Sequence, residues 1–218
     1  MNSPVTEGPD LVLASASPRR RELLQRVGLR PRIAAPEVDE TPHPGEAAAD
    51  YVRRMAADKV AAALRAQEPG PANEPAAAPL ATLAADTIVI LRGAILGKPR
   101  DEADARAMLE RLSGHRHEVT TAYRIAFGAR GAERAVSTTV AFRLIDPAEL
   151  EAYLAGGEWR GKAGGYAVQG TAAAFVTELR GSPTNVIGLP LPEVLADLRA
   201  LGALPAYPPA RFPMAGPE

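Results

Sequence analysis

An apolar run that breaks at Ser-Pro into a basic first turn, LVLASASPRRRELL at residues 11–24, constrains this chain more than any other stretch. Leu11 to Ala14 reads as a short buried strand, Ser17 as a helix cap, and Pro18 as the first helical position, where a missing N–H is harmless. A strand that turns straight into a helix leaves the first helical amides unpaired and facing outward. That commits the local fold to a βα unit and makes its corner an anion site. Arg19, Arg20 and Arg21 fill the first turn, where each cation opposes the helix dipole by roughly 0.3–1 kcal/mol. A bound anion reverses that sign; a solvated basic turn is the alternative.

The basic corner is a local feature. With 25 basic and 26 acidic residues the net charge is −1, so no polycation exists to bind nucleic acid non-specifically. The chain has no Cys, which excludes disulfides, thiolate zinc sites and thiol catalysis. The first ten residues, MNSPVTEGPD, lack the basic and apolar regions of a signal peptide, and no apolar run reaches the roughly 20 residues that span a bilayer. A soluble, cytoplasmic protein with no membrane partner is expected. At 218 residues and 46% apolar composition, one large domain or two small lobes can bury a sizeable core.

The helix opened at Pro18 buries Leu23, Leu24 and Val27 and stops at Gly28. Pro31 to Ala35 reads as a second strand, leading into a Pro-punctuated acidic loop with Glu37, Asp39 and Glu40. From Glu46 to Arg65 the pattern is helical, with Ala48, Tyr51, Val52, Met55, Ala62 and Ala63 in one sector. Lys59 falls inside that apolar sector, where it either snorkels outward or reaches into a cleft at the edge of the core. Residues 67–79 are too rich in Pro, Gly and Ala to pack, and read as a surface loop.

Leu83 to Leu91 is a buried-strand run, Arg92-Gly93 a tight turn and Ala94 to Leu96 the return strand. Asp86 interrupts the first of these strands. A carboxylate there must be hydrogen-bonded, paired or metal-bound, because burying it bare costs several kcal/mol. Gly97-Lys98-Pro99 follows the return strand, so the hairpin can bring Lys98 back near Asp86. Asp101 caps a helix carrying Ala105, Met108, Leu109 and Leu112 on one face. His115 and His117 are two apart, but no third ligand stands at a zinc spacing. Two strands follow, Val119 to Phe127 and Ala135 to Leu144; Asp146, Pro147 and Glu149 then form a capping-box start for a helix through Leu154, broken at Gly156-Gly157. GKAGGYAVQG at 161–170 sets Lys162, Tyr166 and Gln169 among four glycines, which let backbone approach a ligand closely. Thr171 to Leu179 reads as a strand, GSPTNVIGLPL as a loop and Pro192 to Leu201 as a closing amphipathic helix.

Ser-Pro-Arg-Arg at 17–20, Asp39-Glu40, Lys59, Ala-Asp-Thr at 85–87, Gly-Lys-Pro at 97–99, Lys-Ala-Gly-Gly-Tyr at 162–166 with Gln169, and Gly-Leu-Pro at 188–190 together resemble the Maf family, in order from about residue 11 to 202. The resemblance implies a nucleoside triphosphate pyrophosphatase on an elongated α/β/α fold like that of the inosine triphosphatases, with a mixed sheet and two lobes around a central cleft. It implies a Maf-like domain at 11–202 between a short tail at 1–10 and a Pro-rich tail at 203–218. A divalent cation, Mg or Mn, and a homodimer come with it. Carried over to this chain, Ser15, Arg19 and Arg20 take phosphates, Lys59 and Lys98 take further phosphate oxygens in the catalytic set, and Asp86 activates water directly or through the metal. Asp39 or Glu40 supplies a second carboxylate to that metal, and Thr87, Lys162 and Gln169 contact substrate. Asp86-Thr87 with Lys162 and Gln169 looks like the branch acting on dTTP and UTP, whereas Pro183 in SPTN resembles a loop of the 7-methyl-GTP branch. A 7-methyl-GTP-type pyrophosphatase and a non-catalytic nucleotide-binding regulator of cell division stand as alternatives.

Overall fold

A computed structural model describes residues 10–66 and 79–204. The expected surface loop at 67–79 and the two expected tails therefore fall almost wholly outside the described residues. In chain order the elements are β1 (Leu11–Leu13), α1 (Pro18–Arg26), β2 (Pro31–Ile33), α2 (Ala48–Ala66), β3 (Ala81–Leu91), β4 (Ala94–Leu96) and α3 (Glu102–Leu112). Then come β5 (Arg116–Phe127), β6 (Arg130–Phe142), α4 (Pro147–Gly156), β7 (Val176–Arg180), α5 (Pro183–Ile187) and α6 (Leu191–Ala200). The strands form one mixed sheet in the order β2-β1-β3-β5-β6-β7, parallel at β2, β1 and β3 and antiparallel beyond, with β4 hairpinned onto β3. Arg92 and Gly93 both take positive φ, 51° and 81°, as the two-residue hairpin between β3 and β4 requires.

The long central strand organises the rest through its two-residue alternation. On one face, Ala81, Leu83 and Ala85 join a core with Leu11, Leu13, Leu23, Leu24, Tyr123, Val194 and Leu198, while Val89 and Leu91 join a second core with Leu109, Leu112, Phe142, Tyr153 and Tyr166. Thr87 stands between the two. On the other face Ala84 and Ile88 pack under α2, through Val60 and Ala63 in one cluster and Val52 and Ala56 in another, with Asp86 between them. The layers are thus α2, the sheet, and α1, α6, α3 and α4. Of the apolar sector expected on α2, Val52, Met55 and Ala63 are buried and Ala48, Tyr51 and Ala62 only half-buried; Ala56 and Val60 join the buried face, with Lys59 among them.

Three local expectations are corrected. Ser17 occupies the N-cap position of α1, but its side chain makes no capping bond; Ser15 Oγ instead accepts from Ser17 N at 3.2 Å. Residues 171–175 form a 3-10 turn, and only Val176–Arg180 is strand. The Glu158 carboxylate accepts from Thr171 N at 2.8 Å, and Ala172 to Ala174 lack the branched side chains that favour a strand. GSPTNVIGLPL is not all loop, since Ser182 caps the short α5 by accepting from Asn185 N at 3.2 Å. Asn185 is fully buried and donates to Val119 O and Thr138 Oγ1, tying α5 to β5 and β6.

His117 is buried in the second core, edge-on to Phe142 and Tyr166, with Nε2 2.7 Å from Tyr166 Oη. Burial pushes its imidazole down to about 4, below the ordinary 6.5. Below pH 6.5 the unfolded chain therefore binds a proton that the folded chain refuses. Stability from this site should be complete above the unfolded value and drain away as pH falls toward about 4, by on the order of 2–3 kcal/mol. Urea unfolding between pH 7 and 4 measures it. His117→Phe should flatten the acid slope relative to wild type, and an equal slope in both would show that His117 is not the group responsible.

Candidate functional site

β1 pairs with residues 81–83 of β3 and β4 with residues 89–91, both on the edge opposite β5. Between them residues 84–88 carry no strand on that edge. Into this notch opens a cleft of about 550 Å³, lined by the turn after β1, the N-terminus of α1, Glu40, Lys59, Asp86, Thr87, Lys98, the 160–169 segment and Val186 to Gly188. That volume suits a small-molecule ligand. Six of its lining residues are cationic and two are acidic, against a chain net charge of −1.

At the corner, α1 begins with no acidic residue in its first turn and no side-chain cap, so its leading amides remain available to an anion. Arg19 lines the cleft half-buried and makes no hydrogen bond or ion pair among the described residues. Burial pulls its guanidinium below the usual arginine range. Arg20 differs. It is buried, and its fork donates to Gly188 O at 2.7 Å, Ser15 Oγ at 3.1 Å and Thr87 Oγ1 at 3.0 Å. Those bonds lace the turn after β1, the middle of β3 and the segment after α5 into one wall. Thr87 in turn shares a 2.8 Å hydrogen bond with Thr121 on β5, which donates to Asn185 O at 3.0 Å.

Lys59 resolves as a cleft residue. Its Nζ lies 2.7 Å from Asp86 Oδ1 and 2.8 Å from Glu40 Oε1, with only 9% of the residue exposed. Lys98, exposed at the mouth, reaches Glu40 Oε2 at 3.3 Å, so it meets Asp86 only through the Glu40–Lys59 relay. Partial burial alone would raise the Glu40 carboxyl, but the Lys59 hydrogen bond and the Lys59 and Lys98 charges hold it below the usual carboxylate range. Asp39 points elsewhere: its Oδ1 accepts from Thr41 N at 2.9 Å, and it does not line the cleft.

On the opposite wall, Lys162 donates to Glu158 O, and its ammonium is lowered first by burial and then by the charge of Arg19. Two cations that destabilise one another across a cleft are relieved by an anion within reach of both. Gln169 lines the same wall, exposed and uncommitted to any bond among the described residues. Pro183 is the exposed first residue of α5 and lies off the cleft, so what α5 presents there is Val186 and Ile187. Sequence reasoning missed Thr121, Asn185 and Arg160. Arg160 stacks its guanidinium 4.6 Å over the Trp159 ring at the cleft wall, and the adjacent Trp-Arg pair was the available signal. His115 bonds Arg92 at 2.7 Å while His117 is buried against Tyr166, and no group of three or more His, Asp or Glu side chains able to hold a metal occurs among the described residues.

The family model described as "Maf-like protein" matches residues 10–201. Among curated proteins, the chain is 50% identical over 196 residues to a dTTP/UTP pyrophosphatase of Sphingopyxis alaskensis, covering 89% of this chain and 97% of that one. It is 50% identical over 198 residues to a dTTP/UTP pyrophosphatase of Bordetella parapertussis, 89% and 93% covered, and 47% identical over 202 residues to one of Novosphingobium aromaticivorans, 92% and 96% covered.

Lys59→Met removes the cation that Glu40 and Asp86 share. The Glu40 carboxyl should then titrate at a higher pH than in the wild type, followed through side-chain carboxyl ¹³C shifts. An unmoved Glu40 titration would mean that Lys59 does not hold it.

Proposed function

The chain belongs to the Maf family, and from that premise we propose that it hydrolyses dTTP and UTP at the α–β phosphoanhydride, releasing pyrophosphate and the nucleoside monophosphate. The observation that carries this reading is Asp86, a carboxylate standing in the open edge of β3 beside a buried lysine and facing a cleft whose other charged residues are mostly cations. A phosphoanhydride carries several negative charges, and breaking it adds charge to the departing pyrophosphate. Arg19 and the leading amides of α1 bind phosphate oxygens at the corner, Lys98 neutralises charge at the mouth, and Ser15 and Arg20 fix the shape of the turn that presents them. Asp86 accepts the proton of the attacking water. Lys59 keeps Glu40 ionised beside Asp86 and brings an ammonium to the same phosphate. Lys162, Gln169 and the apolar Val186 and Ile187 face the nucleoside, where the Gln169 amide offers a pyrimidine edge both a donor and an acceptor.

A divalent cation, Mg or Mn, belongs to the same reading. Glu40 and Asp86 converge on one ammonium, and two carboxylates with substrate phosphates and retained waters are the usual setting for Mg²⁺. Glu40 and Asp86 would hold it. When bound it would neutralise the triphosphate and lower the pKa of a coordinated water. The homodimer and the cytoplasmic setting are part of the proposal too.

Phosphate release from a nucleotide panel with added inorganic pyrophosphatase tests the substrate. dTTP and UTP should show the highest kcat/KM, and a clear preference for 7-methyl-GTP would overturn the assignment. Asp86→Asn keeps shape while removing the charge, so kcat should fall by roughly 10²–10⁴ in a folded protein that still binds triphosphate. Single-turnover hydrolysis beside calorimetric titration measures both. Near-normal turnover in the folded variant would remove Asp86 from the mechanism, and a wild type that binds but turns over no triphosphate with either metal would favour a nucleotide sensor.

A further inference from the structure

One residue outside the cleft is bonded to α4 and to both ends of the segment that forms the nucleoside wall. Glu158 lies between α4 and the glycine-rich segment. Its carboxylate accepts from Thr171 N at 2.8 Å, from Ala172 N at 3.5 Å and from Tyr153 Oη at 3.3 Å. Its backbone carbonyl accepts from Lys162 Nζ. Tyr153 Oη also lies 3.1 Å from Gly165 O and shares its one proton between that carbonyl and Glu158, so the same knot reaches the middle of the segment. Lys162 and Gln169 project from the stretch whose two ends, at 158 and at 171, Glu158 joins.

We propose that Glu158 is a positioning residue for nucleoside recognition: by tying Thr171, Ala172 and Tyr153 together it sets the conformation of the 162–169 segment that presents Lys162 and Gln169 to the base. The inference rests on the reading of that wall as the nucleoside side of the site. A stretch carrying four glycines between 161 and 170 has little conformational preference of its own, so its shape must be imposed from its ends. Gly170 carries a second, independent mark of the knot. A Cβ built on it would lie 2.3 Å from Glu158 Oε2, and the three heavy atoms nearest to it all belong to the Glu158 carboxylate, which fills the space beside this glycine. Gly170 has φ −113°, which an alanine adopts freely. Gly170→Ala should therefore displace the Glu158 carboxylate without demanding a left-handed backbone. The readout is also built in, because Trp159, the one tryptophan of the chain, is buried next to Glu158 with Nε1 donating to Leu154 O at 3.0 Å.

The experiment compares Glu158→Ala, Glu158→Gln and Gly170→Ala with wild type, below their melting temperatures, by steady-state kinetics on dTTP and UTP and by Trp159 fluorescence during dTTP titration. Glu158→Ala and Gly170→Ala should each raise KM by about tenfold to a hundredfold, the scale of misplacing a binding group, with kcat within a few-fold of wild type. Fluorescence midpoints should shift by the same factor. Glu158→Gln should recover most of the affinity, since its amide oxygen can still accept from Thr171 N. A folded Glu158→Ala with wild-type KM and only a lower melting temperature would overturn the inference, as would wild-type affinity in Gly170→Ala or a loss confined to kcat. A wild type that binds dTTP without hydrolysing it fails the hydrolase reading alone, because the midpoint shift still judges Glu158.

Discussion

Between Leu83 and Val89 the central strand has a neighbour on one edge only, because β1 ends early on one side and β4 begins late on the other. The site depends on that gap. A strand paired on both edges would bury Asp86 and Thr87 between two neighbours and two packed faces, where a carboxylate is affordable only with full compensation. With one edge open, side chains on opposite faces of the sheet both reach the same cleft: Asp86 from the α2 side and Thr87 from the side of the two large cores. The apolar residues flanking them in β3 lock the strand at both ends. A notch so anchored presents polar groups without letting the strand shift register, since a one-residue slip would turn every side chain to the other face.

Two buried cations divide the work of keeping that notch in shape. Arg20 behaves as a strut, directing three donations to Gly188 O, Ser15 and Thr87 and so joining three segments far apart in sequence. The planar fork suits that task in a way a lysine ammonium would not. Lys59 instead meets two carboxylates and, among the described residues, no neutral acceptor. Its pairing with Asp86 meets the cost of placing charge among Val52, Met55, Ala56 and Val60, and it leaves the ammonium and both carboxylates at a surface a ligand can reach. The cation bound to neutral protein acceptors is the one that shapes the wall; the cation bound to acids is the one whose partners face the cleft.

What the sequence disclosed, it disclosed through residues that conflict with their surroundings. Asp86 in an apolar strand and Lys59 in an apolar helical sector each violate the local pattern, and the structure brings those two violations to 2.7 Å. The βα corner, the Arg92-Gly93 hairpin and the Asp146 capping box were legible because each is fixed by chemistry within a few residues. The 171–175 turn and α5 were not. Their conformations are decided by distant partners, Glu158 for the first and the Val119 and Thr138 acceptors of Asn185 for the second, and no local periodicity records those. Asp39 and Glu40 could not be separated by composition either, since adjacent acids in a loop differ only in which one the backbone turn consumes; Thr41 N takes Asp39.

The two walls of the cleft are built by different physics, and that separation has a consequence for recognition. On the proposed reading the phosphates meet the wall made by the start of α1 and the buried Arg20, whose bonds to Gly188 O, Ser15 and Thr87 tie it to the sheet. The wall proposed to face the nucleoside is a glycine-rich segment with no periodic structure beyond a short 3-10 turn, held by side-chain bonds. A rigid phosphate site binds every triphosphate alike, because it contacts what all of them share. Discrimination among bases must then come from the softer wall, and the number of bonds that hold Lys162 and Gln169 in place limits how sharply it can choose. Substitutions on the phosphate side should therefore scale turnover of all nucleotides together, while those around Glu158, Tyr153 and Gly170 change the ratio between them.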